Sequence, residues 1–170
     1  MALQVELLGE RHRRAGFDCG EKALNVFLTN LAGQQQRKNL GRTYVALAED
    51  GQTVVGFVTV SAGQVATADL PAGLKLPRYP VPVMRVGRLA VDSRYQGLGV
   101  GKELLRFALA LALEWSAHVG IYGVAVEAKH AAARDFYLRL GFLAGRDDAL
   151  NMILPLATLK LANPGNDASP

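Results

Sequence analysis

The chain of 170 residues has a single cysteine, Cys19. That excludes an internal disulfide and fits a reducing compartment, so a cytoplasmic location is expected. No apolar run approaches the roughly 18 residues a membrane-spanning helix needs. The most apolar stretch, Phe107 to Leu113, is stopped by Glu114 and reads as core helix. The opening MALQVELLGE lacks a basic region followed by an apolar one, so no secretory leader is expected. The three histidines, His12, His118 and His130, show no metal-ligand spacing, and no metal site is expected. Aromatics are sparse at 7% and hardly interleave with basic residues, which gives no strong signal for stacking on single strands. Internal repeats are absent as well. The reading is one domain over residues 1–160 and a tail over 161–170, where Asn163 to Pro170 lacks the hydrophobic content to fold.

What is present alternates between strand and helix signals. Gln4 to Leu8 is a short strand candidate. Asp18 followed by Glu21 resembles a capping box, and Leu24, Phe27, Leu28 and Leu31 then recur at helical spacing, predicting a helix over Gly20 to Lys38. Thr43–Ala48 and Thr53–Val60 are β-rich runs split by Asp50-Gly51, a hairpin signal. Ala68 to Pro82 carries too many glycines and prolines for a regular element and is expected to be a long loop over one face of the domain, of a length usually functional or mobile. Val83–Val91 is a strand, Lys102–His118 a strongly apolar helix, Ile121–Glu127 a central strand, Ala131–Leu140 a helix ended by Gly141, and Leu150–Leu156 a last strand. The order predicts an α+β fold around a mixed, mostly antiparallel sheet flanked by helices.

The formal charge is only +4, but it is placed unevenly. Arginines and lysines crowd the first quarter and recur at Arg78, Arg85 and Arg88, a bias that suits a polyanionic ligand. Between the strand and helix at the middle of the chain, Gly97, Gly99 and Gly101 fall in alternate positions of Gln96-Gly97-Leu98-Gly99-Val100-Gly101. Glycines there let backbone amides approach an anion, and the helix N-terminus adds its dipole, which together suit a pyrophosphate. Arg94 and Lys102 flank this turn. Two other phosphate loops fail by counting. The nucleotide P-loop needs a glycine where Gln96 stands and Ser or Thr where Glu103 stands; the dinucleotide fingerprint needs a glycine at Lys102 or Leu104.

The pattern that does fit, with Gln96, Gly99 and Gly101 in place and Phe136-Tyr137…Gly141-Phe142 downstream, resembles the acetyl-CoA signature of the GNAT superfamily of N-acetyltransferases, from Val83 to about Phe142. The resemblance implies a GNAT fold and acetyl-CoA as co-substrate. It places the coenzyme on Leu89, Ala90, Val91, Arg94, Tyr95, Gln96, Gly97, Leu98, Gly99, Val100, Gly101 and Lys102, with the peptide groups of Leu89 and Val91 holding the pantetheine arm like an added strand. Acyl transfer from a thioester to an amine needs an acid for the departing thiolate. A phenol, with a pKa near 10 against about 8.5 for a thiol, can serve, and the resemblance gives that role to Tyr137. A backbone N–H on Arg88–Val91 would polarise the carbonyl. Glu127 is a candidate general base. A covalent route through Cys19 is disfavoured by its distance in sequence from the coenzyme motif. An α-amine, of pKa about 7.7–8.0, needs less help from a base than lysine near 10.4, which leans toward an α-amino substrate.

A narrower resemblance lies outside the GNAT core. Phe17-Asp18-Cys19-Gly20-Glu21…Leu24-Asn25-Val26-Phe27-Leu28 is similar to the opening of TacT-like toxins, and Gly41–Val45, Val55–Val58, Pro82, Gly87–Asp92 and Arg94–Gly97 extend the likeness over Phe17 to Leu156. It implies acetylation of the α-amino group of aminoacyl-tRNA, which blocks translation, neutralisation by a ribbon-helix-helix antitoxin, and a homodimer. Arg37, Lys38, Arg42, Arg78, Arg85 and Arg88 would then meet tRNA phosphates. The competing expectation is a GNAT enzyme acting on a small-molecule amine or a protein amino group.

Overall fold

A computed structural model describes residues 3–71, 73–146 and 148–162. Seven strands form one mixed sheet in the order β1-β2-β3-β4-β5-β7-β6. They are β1 (Gln4–Leu7), β2 (Arg42–Leu47), β3 (Val54–Val65), β4 (Val81–Val91), β5 (Gly123–Glu127), β6 (Leu143–Ala144) and β7 (Asn151–Pro155). The helices are α1 (Lys22–Val26), α2 (Ala32–Arg37), α3 (Val100–Ser116), α4 (Ala131–Arg139) and α5 (Leu156–Ala162). The expected α+β order holds, with additions.

The chain divides into two compact units. In the first, residues 1–61 and 86–110, β1, β2 and the start of β3 pair antiparallel, Val5 opposite Ala46 and Val45 opposite Phe57. Asp50 turns the β2–β3 hairpin by accepting the Gln52 and Thr53 amides at 2.8 Å each, and Gly51 takes φ +70°. One face of this part of the sheet buries Val45, Leu47, Phe57 and Ala90 against Leu24, Phe27, Leu28 and Ala32. The helix expected over Gly20–Lys38 forms over 22–37, but Phe27–Leu31 widens to a π-helical turn between α1 and α2. On α3, Val100 and Leu104 come so near Gly56 that a Cβ there would stand 3.0 and 2.9 Å from their side chains. The missing side chain of Gly56 is what lets α3 start where it does.

The second unit, residues 62–85 and 111–170, pairs β5 with β7 and β6 with β7 antiparallel. Its core gathers Leu70, Val81, Val83, Ala125 and Ile153, with Val65, Leu74, Leu76 and Tyr122 packed on them.

The structure corrects four sequence expectations. The proline-rich loop is shorter than 68–82, because β3 runs on to Val65, Thr67–Asp69 forms a 3-10 turn, and β4 already begins at Val81. α3 starts at Val100, inside the glycine turn, and stops at Ser116. The last strand ends at Pro155, where the chain turns into α5. Finally, the Asp18 carboxylate makes no capping box. Glu21 holds the N-cap position without capping the helix through its side chain, and Asp18 is engaged elsewhere. The expected disordered tail from Asn163 lies outside the described residues; the backbone of 161–162 completes α5.

Candidate active site

β4 ends at a buried carboxylate. Asp92 is 1% exposed, and it accepts the Arg94 amide at 3.0 Å, the Arg94 guanidinium through Nε at 3.0 Å and Nη2 at 3.2 Å, and the Asp18 amide at 3.2 Å. The Arg94 hydrogen bonds, with the backbone donors, outweigh desolvation and hold the Asp92 carboxyl below the usual range. The Asp18 carbonyl in turn accepts the Ser93 amide at 2.8 Å. The Asp18 side chain closes its own loop on the Gly20 amide and Asn25, and the Cys19 amide binds Asn25 Oδ1. Gln96 completes the joint by donating to the Val91 carbonyl at 2.9 Å and the Cys19 carbonyl at 3.3 Å. The Phe17–Gly20 segment is therefore a brace for the glycine turn.

Gly97 and Gly99 adopt φ +79° and +86°, a left-handed conformation that side chains rarely take. Nothing stands within 4 Å of the Cβ either would carry, so the turn is open on that side. The Glu103 amide bonds back to the Gly99 carbonyl at 3.0 Å. The amides of the helix's first turn before it have no intrahelical acceptor and point out along the axis, the arrangement that binds an anion. Lys102 is exposed beside them. Leu98 at the tip is 73% exposed. Arg94, expected to be open to phosphate, spends part of its guanidinium on Asp92 and lies 6.0 Å from the Tyr95 ring centroid.

The edge of β4 follows from register. The Asp92 amide meets the Val55 carbonyl at 2.8 Å at one end of β3, and the Arg85 side chain lies over Gly63 toward the other, so the strands run antiparallel. Bonding residues alternate in such a ladder. With the Asp92 amide turned toward β3, the Val91 peptide group next to it turns to the opposite side of β4. The Val91 carbonyl is already taken by Gln96.

Tyr137 is 7% exposed, its ring set edgewise against Phe136 at 5.3 Å and Phe142 at 5.4 Å. Burial pushes its phenol up to about 12. The hydroxyl thus stays protonated at any physiological pH, as an acid must. One turn earlier on α4, Arg134 keeps a buried Nε with no hydrogen-bond partner, an orphan of the kind a ligand oxygen satisfies. Only a helical spacing of three from Tyr137 hints at it in the sequence.

The basic candidates do not converge on one spot. Arg37 and Lys38 close α2, where Arg42 Nη1 also donates to the Gln36 carbonyl at 3.1 Å. The Arg88 guanidinium sits 3.8 Å above the Phe27 ring. In the second unit Arg78 joins Arg146 along a groove, and Arg85 lines a cavity of about 260 Å³ with Glu127, Asp69, Gln64 and Asn151 over a floor including Ala125, Met152 and Ile153. Glu127, the candidate general base, is thus a wall of a small pocket.

Comparisons with known proteins identify the family. A model described as the acetyltransferase (GNAT) family matches residues 9–142, and the chain belongs to that family. A tRNA-acetylating toxin of Mycobacterium tuberculosis is 36% identical over 140 residues, 81% of this chain and 82% of its own. The structure of AtaT complexed with acetyl-methionyl-tRNAfMet superposes with a TM-score of 0.88 at 32% identity, over 95% of this chain and 99% of that one. A tyrosine-to-phenylalanine mutant of AtaT, bound to acetyl-CoA and to the C-terminus of the antitoxin AtaR, gives a TM-score of 0.79 at 30% identity, over 94% and 97%. Among the described residues, no helix is long and apolar enough to cross a membrane.

Proposed function

We propose that this acetyltransferase moves an acetyl group from acetyl-CoA to the α-amino group of an aminoacyl-tRNA, and that it is the toxin of a cytoplasmic toxin–antitoxin pair, a homodimer held in check by a ribbon-helix-helix antitoxin. The observation that carries the reading is the brace joining Phe17–Gly20 to the glycine turn through Asp92 and Gln96. It gives a local purpose to the segment that resembles the TacT-like toxins, and the toxins of M. tuberculosis and AtaT are relatives over most of their length.

Acetyl-CoA supplies a thioester whose acyl carbon accepts the amine. The open glycine turn and the amides that begin α3 fit its pyrophosphate, with Lys102 and the outer edge of Arg94 beside them. Leu89 and the Val91 N–H of β4 hold its arm and polarise the carbonyl. The attacking amine gives up its proton to Glu127, the candidate base, and Tyr137 donates its own to the departing sulfur. The small cavity suits an aminoacyl group, Glu127 and Asp69 facing an ammonium and Arg85 an oxygen of the ester, with the apolar floor under the side chain. The basic residues on α2, β2 and the Arg78 loop meet phosphates.

The test is transfer of labelled acetyl groups from acetyl-CoA to a charged tRNA pool. Label should enter charged but not deacylated tRNA, and Tyr137→Phe should slow it by about 100-fold or more, the worth of a general acid. Charged tRNA left unlabelled while a small amine or a protein amino group is modified would establish the competing activity instead.

A further inference from the structure

The loop before β4 exposes an aromatic ring for which the fold has no use. Leu70 is buried, and Leu74 and Leu76 pack on the core of the second unit, which pins the loop down. Arg78, Tyr79 and Pro80 then turn outward, Tyr79 to 67% exposure, although Val81 returns to the core at 3%. The segment is held in that posture. The Thr67 hydroxyl reaches the Pro77 carbonyl at 2.7 Å and the Tyr79 carbonyl at 3.0 Å, and prolines on both sides restrict the backbone. Alongside runs a groove of about 380 Å³ lined by Ala66, Thr67, Ala68, Arg78, Pro80 and Arg146. It has an arginine from each of two separate segments and no carboxylate among its lining residues.

From this we infer that Tyr79, Arg78 and Arg146 form a clamp for single-stranded RNA, a base stacking on the Tyr79 ring and its flanking phosphates bridging the two guanidiniums. A proud ring beside fixed cations is what single strands require, since every base has a face to stack and every linkage a charge. A double-stranded stem would offer phosphates but no open base, leaving Tyr79 idle. The inference rests on the tRNA reading and refines it: this loop grips the unpaired 3′ end, whereas the cations of α2 and β2 have only phosphates to meet.

The two kinds of contact separate in a salt titration. Binding of an uncharged tRNA is measured against salt concentration for wild type, Tyr79→Ala, Tyr79→Phe and the Arg78→Ala/Arg146→Ala pair, and repeated with the same tRNA lacking its unpaired 3′ nucleotides. Tyr79→Ala should weaken binding of the intact tRNA by about 10-fold with an unchanged salt slope, because stacking releases no counterions. Tyr79→Phe should bind as wild type, and the arginine pair should flatten the slope by roughly two. On the truncated tRNA the Tyr79→Ala effect should vanish. A Tyr79→Ala loss of equal size on both RNAs, or none on either, overturns the clamp while leaving tRNA binding intact. Absence of any salt-dependent RNA binding by the wild type overturns the tRNA reading and the clamp with it.

Discussion

Asp92 gathers four hydrogen bonds onto one buried carboxylate, and three of them come from Arg94. Its charge is well compensated, whereas Arg94 is two-thirds exposed and can be solvated if released. Asp92→Asn should therefore cost about 1–3 kcal/mol of stability, the loss of charge-assisted bonds rather than of a fully buried pair. Because the same carboxylate fixes the entry to the glycine turn, the variant should also raise the acetyl-CoA KM about 10-fold with little change in kcat. Urea melts and steady-state kinetics check the two halves. Tyr137 makes a different prediction. With an acceptor amine of pKa about 7.7–8.0, log kcat/KM should rise with unit slope below pH 8 and then stay level. A phenol pushed up to about 12 imposes no fall through pH 10. A descending limb centred near pH 10 would mean an ordinary tyrosine or another acid.

The glycines of the site work through two mechanisms that one pair of substitutions separates. Gly56 has ordinary backbone angles but no room: a Cβ would meet the Ala90 carbonyl at 3.1 Å as well as Val100 and Leu104. Gly56→Ala should cost about 1–3 kcal/mol by overpacking and shift the start of α3. Gly99 has room but a left-handed φ of +86°, so Gly99→Ala should cost only about 1–2 kcal/mol of strain. Its methyl would project on the side from which a pyrophosphate approaches, and coenzyme affinity should fall more than 10-fold. Calorimetry with acetyl-CoA and thermal melts of both variants should give opposite rankings. The glycine turn, the strands around it and the α3 and α4 helices were legible because spacing and turn residues are local signals. α5 was missed because Leu150–Leu156 reads as apolar strand; Pro155 just before the helix was the available clue. The π-helical turn, the short β6 and the Asp18–Asp92 brace were not legible, since each depends on partners distant in sequence. Arg134, Arg146 and Tyr79 were missed for a related reason: a solvated arginine, a buried orphan and a stacking platform look alike until burial is known.

For the whole molecule, stability against pH is bounded by groups whose charge the fold either holds or refuses. On the acid side the native carboxylates of Asp92, Asp18 and Asp50 all titrate below the ordinary range, Asp50 at about 2. A depressed native pKa means the unfolded chain takes up protons first, so their stabilisation is present above about pH 4 and is lost as the pH falls toward 2. On the alkaline side the sign reverses. The unfolded Tyr137 ionises near pH 10 and the folded one only near 12, so the buried phenol stabilises fully below pH 10 and loses that contribution as pH rises to 12. Two units correspond to about 2.7 kcal/mol. Every other titratable group is shared with a Tyr137→Phe variant, and the difference between the two proteins isolates the one group. Denaturant unfolding at intervals from pH 7 to 12 should show a constant gap between wild type and Tyr137→Phe up to pH 10. The gap should then shift against the wild type by roughly 2–3 kcal/mol by pH 12. A gap that stays flat across the range would mean that the hydroxyl reaches water, and with it that the level alkaline rate profile has some other origin.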